Sequence, residues 1–155
     1  MREVEKYLWE HRARTREYKR MLLDFTLAQH AYEESYFNMP SSCNFDTVRE
    51  KNRKIAKPVE IKAMIVIDRH RAQVESIERR MKETKALIEA IEDTVNRANL
   101  TSREREYVRL RYFCDLSAQA VALRMFVSDA TGGRTRIAAI CKVKKVMEQT
   151  NRNSM

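Results

Sequence analysis

Apolar side chains recur at steps of three and four along nearly the whole chain, and changes in that repeat divide it into three stretches. In the first, Val4, Leu8, His11, Thr15, Tyr18, Leu22, Phe25, Gln29, Tyr32 and Tyr36 alternate at steps of four and three. Some of these positions are polar, yet the stripe is continuous and predicts one long amphipathic helix over residues 1–37. The segment "SYFNMPSSCNFD" interrupts it, with Asn38, Pro40, Ser41 and Ser42 marking a loop over 38–46. Thr47 and Glu50 then have the spacing of a capping box, which opens a second helical stretch over 47–98. Pro58 lies inside that stretch, so a break is predicted near Lys57 with Pro58 in the first turn of the helix that follows.

From Ile67 the repeat becomes heptad. Ile67, Val74, Met81, Ile88 and Val95 recur every seven residues, and His70, Ile77, Thr84 and Ile91 fill the second seam position. The spacing predicts a coiled-coil helix, with Ile67, Val74, Ile77, Met81, Ile88, Ile91 and Val95 as its candidate self-association contacts. The flanking charges do not specify a parallel dimer. Pairs across such a seam would set Arg80 against Lys85, which repel, and Gln73 against Glu78, which is neutral. An antiparallel hairpin with the first helix, or a dimeric bundle built from both, uses the same seam. His70 reads as a packed histidine of that seam, not a metal ligand or a base.

The third stretch begins at Leu100. Thr101 and Glu104 form another capping box, predicting a helix to about Phe113 that buries some of Tyr107, Val108, Leu110 and Tyr112. Cys114-Asp-Leu is a turn, and Ser117 caps a helix over 118–125. Phe126-Val127 is a second turn, and Ser128 caps a last helix reaching about Gln149. Three helices joined by tight turns over 100–150, with 151–155 as a tail, describe a helix-turn-helix domain.

Composition sharpens this picture. The chain has 155 residues with only two glycines and two prolines, and 34% of them are charged. Breakers this scarce predict an all-α protein: long N-terminal helices in a coiled coil or hairpin, plus the C-terminal three-helix domain. The formal net charge is +9. From Thr101 onward there are 11 Lys and Arg against 5 Asp and Glu, so +6 of the excess lies there. Such a surface favours a polyanion, here double-stranded DNA.

Other chemistry is sparse. Cys43, Cys114 and Cys141 are widely spaced and read as reduced thiols of an intracellular protein, not zinc ligands. No stretch has the length and apolarity of a membrane span, and the first residues lack the apolar core of a signal peptide. His11, His30 and His70 stand in no catalytic or metal-binding spacing, and Gly132-Gly133 is not followed by a phosphate-loop signature. No catalysis, metal or cofactor is expected.

The stretches "LTSREREYVRLRYF" and "DLSAQAVALRMFVS" resemble region 4 of the sigma-70 family, and Ala139, Ile140 and Val143 stand where that family carries an apolar stripe. The order of helix, Pro/Ser loop, coiled-coil helix and sigma-like domain is similar to phage late transcriptional regulators of the ArpU and RinA type. The resemblance implies a DNA-binding activator of late or packaging genes in the cytoplasm of a bacterial host. The coiled-coil helices would supply a homo-oligomer, with a dimer favoured, and RNA polymerase is a candidate further partner of the long helices. The chain departs from the pattern in three places. Ala120 replaces a glutamate, Phe126 replaces the glycine of the turn, and Gly132-Gly133 interrupts the recognition helix. The glycines predict a helix that starts late, near Arg134, or stays soft until DNA orders it.

On this reading Ser117 and Ser128 offer helix N-termini to phosphates. Asp129, Thr131, Arg134 and Thr135 are the candidates for reading bases, Arg134 foremost, because its guanidinium fork matches guanine O6 and N7. Arg136, Lys142, Lys144 and Lys145 are the candidates for phosphate contact. The three lysines lie near a helix C-terminus, where they also complement its dipole. A helical adaptor that binds a protein such as RNA polymerase, and a ring-forming terminase small subunit, fit the same helices.

Overall fold

The computed structural model describes residues 1–37 and 58–153, so the Pro/Ser loop, the Thr47–Glu50 capping box and the segment up to Pro58 lie outside the described residues. The described residues form an all-α structure. Helix α1 spans Arg2–Phe37 and α2 spans Pro58–Arg97. A shorter helix, α3, covers Ser102–Val108 and runs into a single π-helical turn at Arg109–Phe113. Helices α4 (Ala118–Arg124) and α5 (Asp129–Asn153) follow. Pro58 is the first residue of α2, where its missing amide hydrogen costs no helical bond.

The chain divides into two compact units, and both long helices contribute to each. One comprises Met1–Tyr18 with Glu83–Met155, the other Lys19–Lys82. In the first unit the opening turns of α1 lie along the closing turns of α2. The Tyr7 hydroxyl donates to the Ala90 carbonyl at 3.3 Å and lies 3.2 Å from the Thr94 hydroxyl, and His11 Nε2 is 2.8 Å from Glu92. Val4 and Leu8 share one core with Ile91, Val95, Tyr107, Val108, Val121, Ala139, Ile140 and Val143. In the second unit the Arg71 guanidinium donates to the Tyr32 hydroxyl at 3.4 Å, and Met21, Ala28 and Ile67 are the buried apolar residues.

The heptad seam of α2 is therefore used within the chain. Ile67, Ile91 and Val95 are buried, and Val74, Ile77, Met81 and Ile88 are half-buried. These seven are the candidate self-association contacts, with an antiparallel hairpin to the first helix as the other use of the same seam; within each unit α1 packs along them. On α1 the expected stripe holds through Tyr18 and then shifts by one residue. Met21 and Ala28 are buried, whereas Leu22, Gln29 and Tyr36 are exposed. A three-residue step from Tyr18 to Met21 locally overwinds the repeat. Burying Ala28 instead of Gln29 also avoids an unpaired amide in the interface.

Local chemistry sets the ends of the short helices. Thr101 and Glu104 form the predicted capping box, with the Thr101 amide donating to Glu104 Oε2 at 2.8 Å and the Glu104 amide to Thr101 Oγ1 at 3.3 Å. The π turn closes with the Cys114 amide donating to the Arg109 carbonyl at 2.9 Å, one residue beyond the α-helical partner. Helix α2 is followed by Asn99 at φ 47° and the π turn by Asp115 at φ 60°, both residue types that tolerate the left-handed region. Helix α4 ends in a Schellman motif: the Phe126 amide donates to the Leu123 carbonyl and the Val127 amide to the Ala122 carbonyl. Its left-handed residue is Phe126 (φ 54°), in the position the sequence marked as a glycine replaced. The ring is 96% exposed, so it gains no packing for that conformation.

The glycine pair does not delay the last helix. Helix α5 runs unbroken from Asp129 through Gly132 and Gly133, with the Gly132 amide donating to the Ser128 carbonyl at 2.9 Å. The expected late start near Arg134 is thus corrected: the Ser128 cap and packing against α4 hold the first turns. A Cβ built on Gly132 would lie 3.5 Å from Ala122 Cβ, so this glycine marks a close helix crossing, while Gly133 faces open space.

Two substitutions test these positions by urea unfolding. Gly133→Ala should raise stability by about 1 kcal/mol, and Gly132→Leu should lower it because a long side chain meets Ala122 and Tyr107. Phe126→Gly should stabilise by roughly 0.5–1 kcal/mol, as relief of about 1–2 kcal/mol of left-handed strain exceeds the added chain entropy.

Candidate nucleic-acid interface

Helices α4 and α5 are joined by a turn of a few residues, and each begins at a serine cap. The Ala120 amide donates to Ser117 Oγ at 3.1 Å, and the Thr131 amide to Ser128 Oγ at 3.3 Å. Both serines are exposed, as is Asp129 at the head of α5. Thr131 is half-buried, with its hydroxyl 3.0 Å from that of Ser128. The inward face of α5 is formed by Gly132, Thr135, Ala139, Ile140 and Val143, all buried. Helical geometry puts Ala130, Arg134, Ile137, Cys141 and Lys145 on the opposite face, and all five are exposed.

The predicted site residues separate on this geometry. Arg134 and Lys145 are exposed, and their side chains bond to nothing among the described residues. Thr135 is buried and donates to the Thr131 carbonyl at 2.9 Å. It was expected to read a base, but the helix turns it toward the core. Arg136 was expected on phosphate, but it donates to Glu5 Oε1 from Nε at 2.8 Å and from Nη2 at 2.5 Å. Lys142 also belongs to the protein's own framework, with its Nζ 2.6 Å from Glu104 Oε2. Lys144 pairs loosely with Glu148 at 3.5 Å on an exposed surface, where such a pair contributes little.

Sequence patterns gave no sign of the Glu5 cluster. Glu5 Oε1 also accepts from the Tyr112 hydroxyl at 2.9 Å, so one carboxylate oxygen serves a phenol and a guanidinium. Trp9 packs edge-on to Tyr112 with centroids 5.2 Å apart, and Arg111 lies over the Trp9 ring at 4.9 Å. His11 stacks on Phe113 at 3.8 Å, and Arg12 pairs with Asp115. The opening turns of α1 therefore act as a further helix of the helix-turn-helix unit. Sequence periodicity marks their apolar stripe but says nothing about which polar neighbours receive them.

These contacts shift the titrating groups. Burial raises the Glu5 carboxyl, but hydrogen bonds from Arg136 and Tyr112 and the nearby guanidinium charges outweigh it and hold it below its ordinary value of 4.5. Glu104 follows the same balance: burial raises it, and Lys142 and the Thr101 hydrogen bonds bring it below 4.5. Burial, then the bond to Glu5, pushes the Tyr112 phenol well up. The Glu5 hydrogen bond raises Arg136.

Sequence reading also missed Ile137, a large apolar side chain 51% exposed on the outward face of α5. The signal was available: once Ala139, Ile140 and Val143 define the inward face, Ile137 falls on the other side. The cationic side chains of Arg103, Arg105, Arg134 and Lys145 are exposed and unpaired among the described residues, and Arg124 is exposed with its charge near Glu106. No group of three metal-ligating side chains occurs there either, and no helix is long and apolar enough to cross a membrane. No protein-family model, curated protein or solved structure matches the chain.

Glu5→Ala should destabilise the protein by about 1–3 kcal/mol in urea unfolding, because the buried Tyr112 hydroxyl loses its acceptor. Acid should have a matching effect. Both carboxylates titrate below their ordinary value in the folded state, so the stability they contribute is present above about pH 4.5 and lost as pH falls through their lowered values. The difference in unfolding free energy between neutral and acidic buffer should shrink in a Glu5→Gln/Glu104→Gln variant.

Proposed function

We propose that the protein is a sequence-specific DNA-binding transcriptional regulator, with α5 as its recognition helix. The observation that carries this reading is the outward face of α5. It begins at a serine-capped N-terminus, displays an unpaired Arg134 beside the exposed Ile137, and ends at Lys145. In a major groove, Arg134 would pair with a guanine edge and Ile137 would pack on a thymine methyl, while Lys145 and the capped helix ends contact phosphate. Arg136 and Lys142 act as internal supports that hold the helix in place. The resemblance of the whole layout to phage late regulators of the ArpU and RinA type adds the role of activator of late or packaging genes, with RNA polymerase as a candidate protein partner. Self-association through the long helices would set half-site spacing.

The test is selection from a randomised duplex pool, followed by titration of the selected and a scrambled duplex over a salt series. A preference that survives moderate salt supports the reading. Equal binding to both duplexes, or none to either, sinks it. Arg134→Ala should cost about 1–3 kcal/mol on the selected duplex and relax the preference at one base pair. Replacing thymine by uracil in the selected site should weaken the wild type and leave Ile137→Ala unaffected. Lys145→Ala should weaken all duplexes alike and reduce the salt slope by about one.

A further inference from the structure

The second unit carries far more apolar surface than its two helices bury. Among the described residues, Leu22, Leu23, Leu27, Ile61, Ile65 and Val66 are exposed there, against only Met21, Ala28 and Ile67 as buried apolar residues. The surface has relief on one side. A groove of about 680 Å³ runs between α1 and α2, with Ala28, Ala31 and Ser76 among its lining residues and Leu27 on its α1 wall. Leu27 is 69% exposed, and Leu23, one turn earlier on the same side of α1, is 67% exposed. The α1 wall also carries Asp24 and the α2 wall Arg80.

We propose that this groove is a self-association surface occupied by the same groove of a second copy, forming a two-fold, four-helix bundle. A two-fold interface must be complementary to itself. Here one patch holds both the projecting leucines and a recess with small residues in its lining, so each copy can seat its Leu23 and Leu27 in the other's groove. The size is adequate. Lys19–Phe37 gives about 28 Å of helix, and two helices abreast are about 20 Å wide. One face therefore offers roughly 560 Å² in projection, close to the 600 Å² or so per partner of the smaller specific interfaces. The proposal rests on the self-association in the proposed function and places it at this groove, whose lining includes the seam residues His70 and Ile77 on the side that α1 leaves half-buried.

The experiment is light scattering on the full chain after gel filtration, over a range of concentrations, with helicity read by circular dichroism. The wild type should have twice the chain mass of 18.4 kDa, and Leu23→Glu/Leu27→Glu should be monomeric with unchanged helicity, since both side chains are already exposed. Leu123→Glu, in the helix-turn-helix unit, should remain dimeric. A wild type that is monomeric throughout, a trimer or larger ring, or a double variant that still dimerises would each overturn the proposal. If the double variant also lost helicity, Ala31→Glu at the groove lining gives the same reading: a monomer supports the surface and a dimer refutes it. The DNA reading is tested separately, because Arg134→Ala should relax the duplex preference at one base pair without changing the mass.

Discussion

The first unit depends on a single carboxylate. Helices α3 and α4 are far shorter than the roughly 12 residues at which a helix becomes marginally stable alone, so they persist only by packing. Their core includes Tyr112, whose ring is buried and whose hydroxyl needs a partner. Glu5, on α1, supplies it and in the same position takes both donors of Arg136 on α5. The beginning of the chain is thereby tied to both the π turn and helix α5. Val4 and Leu8, on either side of Glu5 in sequence, enter the same core. Much of α5's fixed position follows from a polar contact made more than a hundred residues away in the chain.

That contact also sorts the cations. The C-terminal stretch is rich in Arg and Lys, but its charges do not do the same work. Arg136 and Lys142 balance carboxylates inside the unit, and the depressed titration of Glu5 and Glu104 reflects those pairings. Arg134 and Lys145 are held out on the face opposite the core. Net charge can indicate a polyanionic partner, but only this separation indicates which groups remain available to one.

The two units have opposite surpluses. The first closes a core with aromatic, aliphatic and ionic contacts and leaves few large apolar side chains outside, Leu123, Phe126 and Ile137 among them. The second is a pair of helices with few buried residues and several exposed leucines and isoleucines. A two-helix layer has one inner seam, so apolar residues beyond that seam stay exposed among the described residues. The heptad repeat thus serves as an internal seam, with an exposed apolar surplus beside it.

Features written in local spacing were determined by the sequence alone. The all-α class, the extent of α1, Pro58 at the head of α2, the Thr101–Glu104 box, and the serine caps of α4 and α5 each depend on residues within a turn of one another. So did the α2 seam, because its repeat is strict. Tertiary structure decided what local spacing leaves open: that Met21 and Ala28 replace Leu22 and Gln29, that α5 continues through Gly132 against Ala122, and that Phe126 adopts a glycine-like conformation. It also decided that Thr135 is buried and that Arg136 and Lys142 are paired within the chain, while Arg134 and Ile137 face outward. The physical reason is common to all of these. A helix's periodicity depends on its own residues, but the direction a polar side chain serves depends on which distant helix brings it a partner.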